Sequence, residues 1–567
     1  MLTRASRVIR RFPRRTRLFS ILEDNEQRIG WGSSTPVTTK NYPAFLKSRN
    51  DVPDNLGLQE GKEEGTDERW PGWQPVIGIE VHAQIRARRK LFSDTVTDVD
   101  APPNSHVSLF DAAFPGTLPI LNKACVDLGV RTAVALGSDI HERSSFDRKH
   151  YFYADLPSGY QITQHYSPLA TGGKLSVTHT DKKKCTKTKD IRINQIQLEQ
   201  DTAKSTTQPG VTLIDLNRAG APLMEIVSEP DMRSPEQAGA YVTELRALLR
   251  AIGASNGNME EGSLRCDVNV SVHKPGEPFG TRCEIKNLNT IKGLQIAINS
   301  EVRRQIVLLS SGQTVAQETR GFDEDRAETF TLRSKEDAPD YRYMPDPNLP
   351  PLILTEDYIR TIEYTTPPTP QKLRHILLSI YEIPERDAKV LMNLRAGSDV
   401  PFDGELKENN ALSYFLDVTM DRDPKVVANW MVNELLGSLA YRKETFTTER
   451  LPADQLGEII DMVDVGGITA TSGKALLRHI LAEPTREPLT DVVDRLGLRS
   501  TGTDGLQHIC QAAVDKLPLD ADSARKGNTR VIKRLVGEVM RQSKGRVDAL
   551  AAAVMLRQML GLPPEDK

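Results

Sequence analysis

Glu80 and His82 stand two positions apart in PVIGIEVHAQI (residues 75–85), a segment whose alternate residues are apolar. Alternate residues of an extended strand project from the same face. Val76, Gly78, Glu80, His82 and Gln84 therefore share one side, and Ile77, Ile79, Val81 and Ala83 the other. A carboxylate beside an imidazole suits one divalent cation or one proton relay; an exposed acid next to an unremarkable histidine is the competing reading of the pair alone. The pattern recurs in SLRCDVNVSV, where Arg265, Asp267, Asn269 and Ser271 oppose Leu264, Cys266, Val268 and Val270. It recurs again in TRCEIKN, where Arg282, Glu284 and Lys286 oppose Cys283 and Ile285. The link HKPGEPFG is turn-rich, so these two runs are expected to pair as an antiparallel hairpin with their charges on one face. A further segment, IQLEQDTAKS, sets Gln197, Glu199 and Asp201 on one side of Leu198 and continues with Lys204 and Ser205. One such hairpin would be an ordinary solvated sheet face. That hairpin and two further segments with matching polar faces predict a large polar cradle.

The elements needed to hold that cradle surround it. Strands, long loops and a few helices occupy 74–365. Ser234 as N-cap, Pro235 in the first turn and Gln237 completing a capping box open one helix. Tyr241, Leu245, Leu248 and Ile252 line its apolar side, and Gly253 ends it. A second helix is expected from about 288 to 310, stopped by Gly312, and the proline-rich PDPNLPPLIL (345–354) closes the domain. Beyond 366 the pattern is almost wholly helical, and it divides into a helical domain at 366–428 and an all-α tail domain at 429–567. The expected fold class is α+β: a mixed or antiparallel β cradle, then helical domains. In the tail, Arg530, Arg534, Gly537, Arg541 and Lys544 recur at helical spacing opposite Ile532, Leu535, Val536 and Val539. A basic stripe with a glycine at its middle lets a phosphate backbone approach; a solvated charged helix face is what composition alone would favour.

Bulk properties narrow the classes. A chain of 567 residues can bury ample core in two to four domains. The net charge is −3, so any nucleic-acid binding must come from a local basic patch. Five scattered cysteines without a CxxC argue against a disulfide framework and a Cys-type zinc site. Arg4, Arg7, Arg10, Arg11, Arg14, Arg15 and Arg17 are interspersed with apolar residues and no acid, which reads as a mitochondrial leader; a nucleic-acid-binding arm is the alternative. Residues 23–73 lack periodicity and read as a disordered linker. No apolar run approaches the roughly 20 residues of a membrane span, so no membrane insertion is expected. TGGKLS and TSGKAL do not fit the phosphate-loop pattern, and neither a GxGxxG fingerprint nor a GxSxG elbow is present.

Taken together, VIGIEVHAQI (76–85), KLFSDT (90–95), HYFYADLPSGYQITQ (150–164), LEQDTAKS (198–205), DLNRAGAPLMEIVSEPD (215–231), EEGSLRCDVNVSV (260–272), EIKNLN (284–289), SKEDAPDYRYMPDP (334–347) and NWMVNELL (429–436) resemble the B-subunit family of the tRNA-dependent amidotransferases. The resemblance covers nearly everything after residue 74, in the family's order. It implies ATP-dependent phosphorylation of the γ-carboxylate of Glu-tRNA(Gln), then displacement of phosphate by ammonia from a glutaminase A subunit, with a small C- or F-type subunit completing a mitochondrial heteromer. It implies Mg²⁺ at Glu80 and His82, with Glu199 as a further acidic ligand. Bacterial relatives read EED where this chain has Glu199, Gln200 and Asp201, so the third ligand is either Glu199 or the neutral Gln200. Catalytic roles then fall to Glu80, His82, Glu199, Asp267 and Glu284, and phosphate and cofactor binding to Arg265, Arg282, Lys286, Lys204 and Arg218. Tyr151, Tyr153, Tyr160 and Gln161 are candidates for the tRNA acceptor end, although tyrosines commonly pack cores. Arg530, Arg534, Gly537, Arg541 and Lys544 become the tRNA-binding stripe. Some bacterial relatives carry a CxxC where this chain reads SLFD (108–111), so no zinc is expected there. A non-catalytic tRNA-binding scaffold and a free-standing ATP-dependent carboxylate–amine ligase are the other function classes; the acids of the cradle argue against the first and the basic tail against the second.

Overall fold

A computed structural model of the chain describes residues 67–98, 101–180, 186–334, 340–396, 400–405, 411–447, 450–526 and 528–563. The leader and most of the expected linker lie outside these residues. The end of that linker is instead packed: Arg69 donates to both carboxylate oxygens of Glu236 at 2.9 and 2.8 Å, and Trp70 is buried in the main core. The large apolar indole outweighs the polar composition around it.

The strands that matter for the site are β1 (Gln74–Gln84), β2 (Asp147–His150), β3 (Tyr160–Thr163), β4 (Thr186–Gln200), β5 (Pro222–Ser228), β6 (Leu264–His273), β7 (Cys283–Leu288), β8 (Glu318–Asp323) and β9 (Glu328–Ser334). The large sheet runs β9-β8-β7-β6-β1-β5-β4 and continues through the short strands Ala170–Thr171 and Asp139–Ile140. Along this order β7 and β8 pair in parallel, and the other neighbours are antiparallel. The expected β6–β7 hairpin forms, with Val268 opposite Ile285 and Asn269 opposite Glu284. β2 and β3 pair in a separate small sheet with Met344–Pro345.

Helices α1 (Lys123–Leu136), α2 (Pro235–Ala251) and α3 (Ile291–Ser310) share one core with the apolar residues of these strands. Ile77, Ile79 and Val81 of β1, Met224 and Ile226 of β5, and Cys266, Val268 and Val270 of β6 are all buried there. A sheet with one face covered leaves the opposite, polar face free to build a site. Ser234 caps α2 by accepting from the Gln237 N–H at 3.2 Å, while the Gln237 side-chain carbonyl takes the Arg233 N–H at 2.7 Å, one residue earlier than in a capping box. Gly253 follows α2 at φ +76°, where a Cβ would be strained. The second expected helix begins at Ile291, because Thr290 serves as its N-cap through the Gly293 N–H at 2.9 Å.

The helical remainder has two cores. One spans Leu373 to Val493 and includes Val427, Ala428, Trp430 and Met431; the other spans Leu506 to Leu560. The division expected at 428/429 therefore falls inside one core, since Pro424–Asn429 runs straight on into Trp430–Leu435. Among the described residues no helix is long and apolar enough to cross a membrane.

Candidate active site

β1 lies between β6 and β5, and the register sets what meets on the polar face. Glu80 stands opposite Asp267, and His82 stands opposite Arg265 on one side and Glu225 on the other. Such cross-strand neighbours have Cβ atoms about 4.5–5.5 Å apart. Ligand atoms of Glu80, His82 and Glu225 all lie within 4.8 Å of one another, the group of three that the described residues offer to a metal ion. Glu225 is absent from the set expected from sequence. Its strand reads PLMEIVS, and one acid in a continuous apolar run hides the period of two that Leu223, Glu225 and Val227 obey. A lone carboxylate inside a buried strand is itself the signal that could have found it.

The three groups share protons. His82 Nε2 lies 3.1 Å from Glu80 Oε1. Burial opposes the charge on Glu80, but the hydrogen bond and charge of His82 outweigh it and hold the carboxyl at about 2. Burial likewise opposes the imidazolium, yet the bond to Glu80 and the charges of Glu225 and Glu80 push His82 up to about 9. Glu225 is pushed up to about 8 by burial and then by the charges of Glu80 and Glu199. Gln197 Nε2 donates to it at 2.5 Å and also reaches Thr163 Oγ1 at 3.2 Å. Once deprotonated, two carboxylates and a neutral imidazole make a donor set that fits a divalent cation.

Glu199 lies outside this trio but on the same face, opposite Leu223 of β5. It is 2% exposed. Its Oε1 accepts from Gln161 Nε2 at 2.7 Å; Oε2 has no hydrogen-bond partner, and Lys149 Nζ stands 4.0 Å away. Gln200 alternates to the opposite side and lines a separate small cavity with Asp111, Tyr160 and Gly220. Of the two residues left open as third ligand, Glu199 is the one on the cradle face.

The hairpin face carries the expected charges, and it pairs them. Lys286 Nζ lies 2.7 Å from Asp267 and 3.1 Å from Glu284, which also accepts from Thr319 Oγ1 at 3.1 Å. Arg282 joins Glu80, Asn269, Glu284, Thr319 and Arg333 around an open cavity of about 200 Å³. Arg333, on β9, has no counterpart in the sequence-based set and enters by pairing opposite Thr319.

Three expected phosphate-binding residues have other partners or settings. Arg265 reaches Asp201 Oδ2 at 2.6 Å, and Arg218 reaches the same oxygen at 3.4 Å while donating to the carbonyls of Thr202 and Ala203. A buried carboxylate needs compensating charge, and Asp201 takes both guanidiniums. Lys204 is exposed in a two-stranded ribbon, Lys204–Gln208 with Val211–Asp215, because β4 ends at Gln200. Among the acceptor-end candidates, Gln161 faces Glu199, and Tyr151 Oη lies 3.4 Å from Gln161 Oε1. Tyr160 turns to the other side of β3, under the Arg148 guanidinium at 4.1 Å.

In the tail, helix α4 (Ile532–Gln542) buries Ile532, Leu535 and Val539 and exposes Arg534, Gly537 and Arg541. Arg530 precedes it and Lys544 follows its end, both exposed; Lys533 adds a further exposed cation. Nothing lies within 4 Å of a Cβ built on Gly537. Two acids temper the stripe: Glu538 binds Arg541 at 2.8 Å, and Asp520 lies 3.4 Å from Arg534.

A family profile described as "GatB/GatE catalytic domain" matches residues 75–360, and one described as "GatB domain" matches residues 413–560. The chain is 53% identical over 517 residues to the B subunit of the mitochondrial glutamyl-tRNA(Gln) amidotransferase of Laccaria bicolor, covering 87% of this chain and 93% of that protein. The corresponding mitochondrial protein of Cryptococcus neoformans is 45% identical over 86% of this chain and 94% of its own length. The B subunit of the aspartyl/glutamyl-tRNA(Asn/Gln) amidotransferase of a Methylobacterium species is 42% identical over 86% and 96%.

Proposed function

We infer the activity from one premise: the chain belongs to the GatB family of amidotransferase B subunits. It is the B subunit of a mitochondrial Glu-tRNA(Gln) amidotransferase, an ATP-dependent carbon–nitrogen ligase with glutamine as amido donor. It works with tRNA in a heteromeric complex, and we assign it a glutaminase A subunit and a small C- or F-type subunit as partners. The Arg-rich start of the chain gives it the address that its mitochondrial relatives' names carry.

The observation that carries the mechanistic reading is the juxtaposition of Glu80, His82 and Glu225 with the cavity that Arg282 and Arg333 line together with Glu80, Glu284 and Glu318. We assign Mg²⁺ to that trio, where it would neutralise charge on the ATP triphosphate. Arg282, Arg333 and Lys286 orient the phosphates from the β6–β9 side of the face. The γ-carboxylate oxygen of the tRNA-bound glutamate attacks the γ-phosphorus and ADP leaves. Ammonia then attacks the acyl carbon, the C–O bond to phosphate breaks, and inorganic phosphate departs. The proton that the new amide nitrogen must lose goes to a carboxylate, and we assign it to Glu199, whose Oε2 accepts no hydrogen bond and has Lys149 Nζ 4.0 Å away. Asp267 and Glu284 hold Lys286 in position rather than meeting substrate directly.

The test is ATP-dependent conversion by the purified complex of Glu-tRNA(Gln) to Gln-tRNA(Gln), with glutamine or ammonium as nitrogen donor. Phosphate release that requires charged tRNA is expected. Equal turnover of free glutamate would instead identify a free-standing ligase, and tRNA binding without turnover a scaffold.

A further inference from the structure

Beside the acid cluster, the loops after β2 and β3 and the segment around Tyr343 bring aromatic rings together on the surface. His165 and Tyr343 stack at 3.8 Å between ring centroids with planes 7° apart. Tyr343 continues edge-on to Tyr341 at 6.0 Å, Tyr341 to Tyr151 at 6.1 Å, and Tyr151 to Tyr153 at 5.5 Å. These rings do not form a closed core: at one end Tyr153 and the adjoining Phe152 are 60% and 84% exposed, and at the other Tyr166, edge-on to His165 and Tyr343, is 65% exposed. A contiguous exposed aromatic patch costs hydration free energy and marks a binding site more often than chance.

Two features narrow the ligand. Lys149 Nζ lies 5.1 Å above the Tyr341 ring, and Arg342 is exposed between the two tyrosines, so the rings are interleaved with cations. The row also passes the acids: Tyr151 Oη lies 3.4 Å from Gln161 Oε1, and Gln161 donates to Glu199 at 2.7 Å. Stacked rings beside cations, at the entrance to a site that must receive an aminoacyl ester, match an unpaired nucleic-acid strand. Such a strand presents flat bases to the rings and phosphates to the cations.

We propose that the wall formed by Tyr153, Tyr151, Tyr341, Tyr343 and His165 stacks the unpaired 3′-terminal nucleotides of the aminoacylated tRNA, with Lys149 and Arg342 on their phosphates, and so delivers the glutamyl group to the acid cluster. The proposal rests on the function inferred above and deepens it. It separates two tasks: the tail grips the body of the tRNA without regard to its end, and the wall reads that an unpaired end is present.

The probe is deacylated tRNA(Gln) with 2-aminopurine replacing the terminal adenosine, added to the purified complex. Stacking quenches this base, so binding to the wild-type complex is expected to lower its fluorescence several-fold. Tyr343→Ala and, separately, the exposed Tyr153→Ala should each weaken the quench and raise the KM for Glu-tRNA(Gln) about tenfold, with kcat little changed; loss of one stacking contact is worth on the order of tenfold or more. Tyr343→Phe, which keeps the ring, should restore both readouts. Quench and KM unaltered in the two Ala variants would overturn the proposal. So would variants that keep the quench but lose partner subunits on purification, since the wall would then be a subunit interface. If the wild-type complex amidates Glu-tRNA(Gln) without quench, the wall fails and the function stands; quench without amidation is the converse.

Discussion

In the cradle, Lys286 sits between Asp267 and Glu284, Arg265 and Arg218 converge on Asp201, and His82 faces Glu80 and Glu225. On the tail, Arg530, Lys533 and Arg534 stand exposed along one helical side, with Glu538 and Asp520 as partial partners of the stripe. Both regions are rows of charge on a regular element, and burial separates them. A half-buried charge on the sheet must be matched by its neighbours, so each side chain depends on the next. An exposed charge on the helix is screened by water and salt, and its neighbours act almost independently. The first arrangement suits chemistry at one point, and the second suits holding a long polyanion.

The sharpest way to break that contrast is Glu225→Gln, which keeps the shape of the side chain but cannot lose a proton to become an anionic ligand. ATP-dependent phosphate release with Glu-tRNA(Gln) is expected to fall by at least about 10²–10³-fold, while the KM for tRNA stays within about twofold. Activity within a few-fold of wild type would remove Glu225 from the chemistry.

A smaller effect should appear in the pH dependence of Mg²⁺ binding to the complex without nucleotide. The raised value of His82, about 9, keeps it charged at neutral pH, and the raised value of Glu225, about 8, keeps that carboxyl neutral. Both must lose a proton to become ligands, so affinity should rise with pH and level off above about 9. The gain is about tenfold per pH unit for each proton displaced. Calorimetric titration in two buffers of different ionisation enthalpy counts those protons, and no release would show that the trio does not hold the ion.

The tail should respond most gently. Replacing Arg530, Arg534 and Arg541 together by Ala should raise the tRNA KM about tenfold at moderate salt and leave kcat unchanged. The slope of log affinity against log salt should become shallower by about two to three. Arg541 should contribute least, because Glu538 already neutralises part of its charge. A fall in kcat instead would mean that the tail positions the acceptor end, and the division of labour between the regions would be lost.

Much of the cradle is legible in the chain's alternation. The strict period of two in 75–85 and 264–272 assigns each residue of β1 and β6 to its face, because a strand has no other way to separate Ile79 from Glu80. The expected hairpin, the capped helix at Ser234 and the basic side of α4 follow from the same kind of local periodicity. Less legible is the partnership of each charge. Arg265 has the right type and face for phosphate and Arg218 the right type, yet Asp201, buried just past the end of β4, claims them both.

Local sequence dictates which residues can lie together on one face of one element, since backbone geometry repeats every two or 3.6 residues. It also carries the family, through motifs spread along most of the chain. Which faces meet is settled by the assembled fold. Glu225 reaches His82 because β5 pairs with β1 in one particular register, and a slip of one residue would turn it into the core. Lys149, Arg333 and Tyr343 join the cradle from segments far away in sequence. Their approach depends on strand order and on the burial of apolar surface behind the sheet, and these are properties of the whole folded domain that no short stretch of sequence encodes.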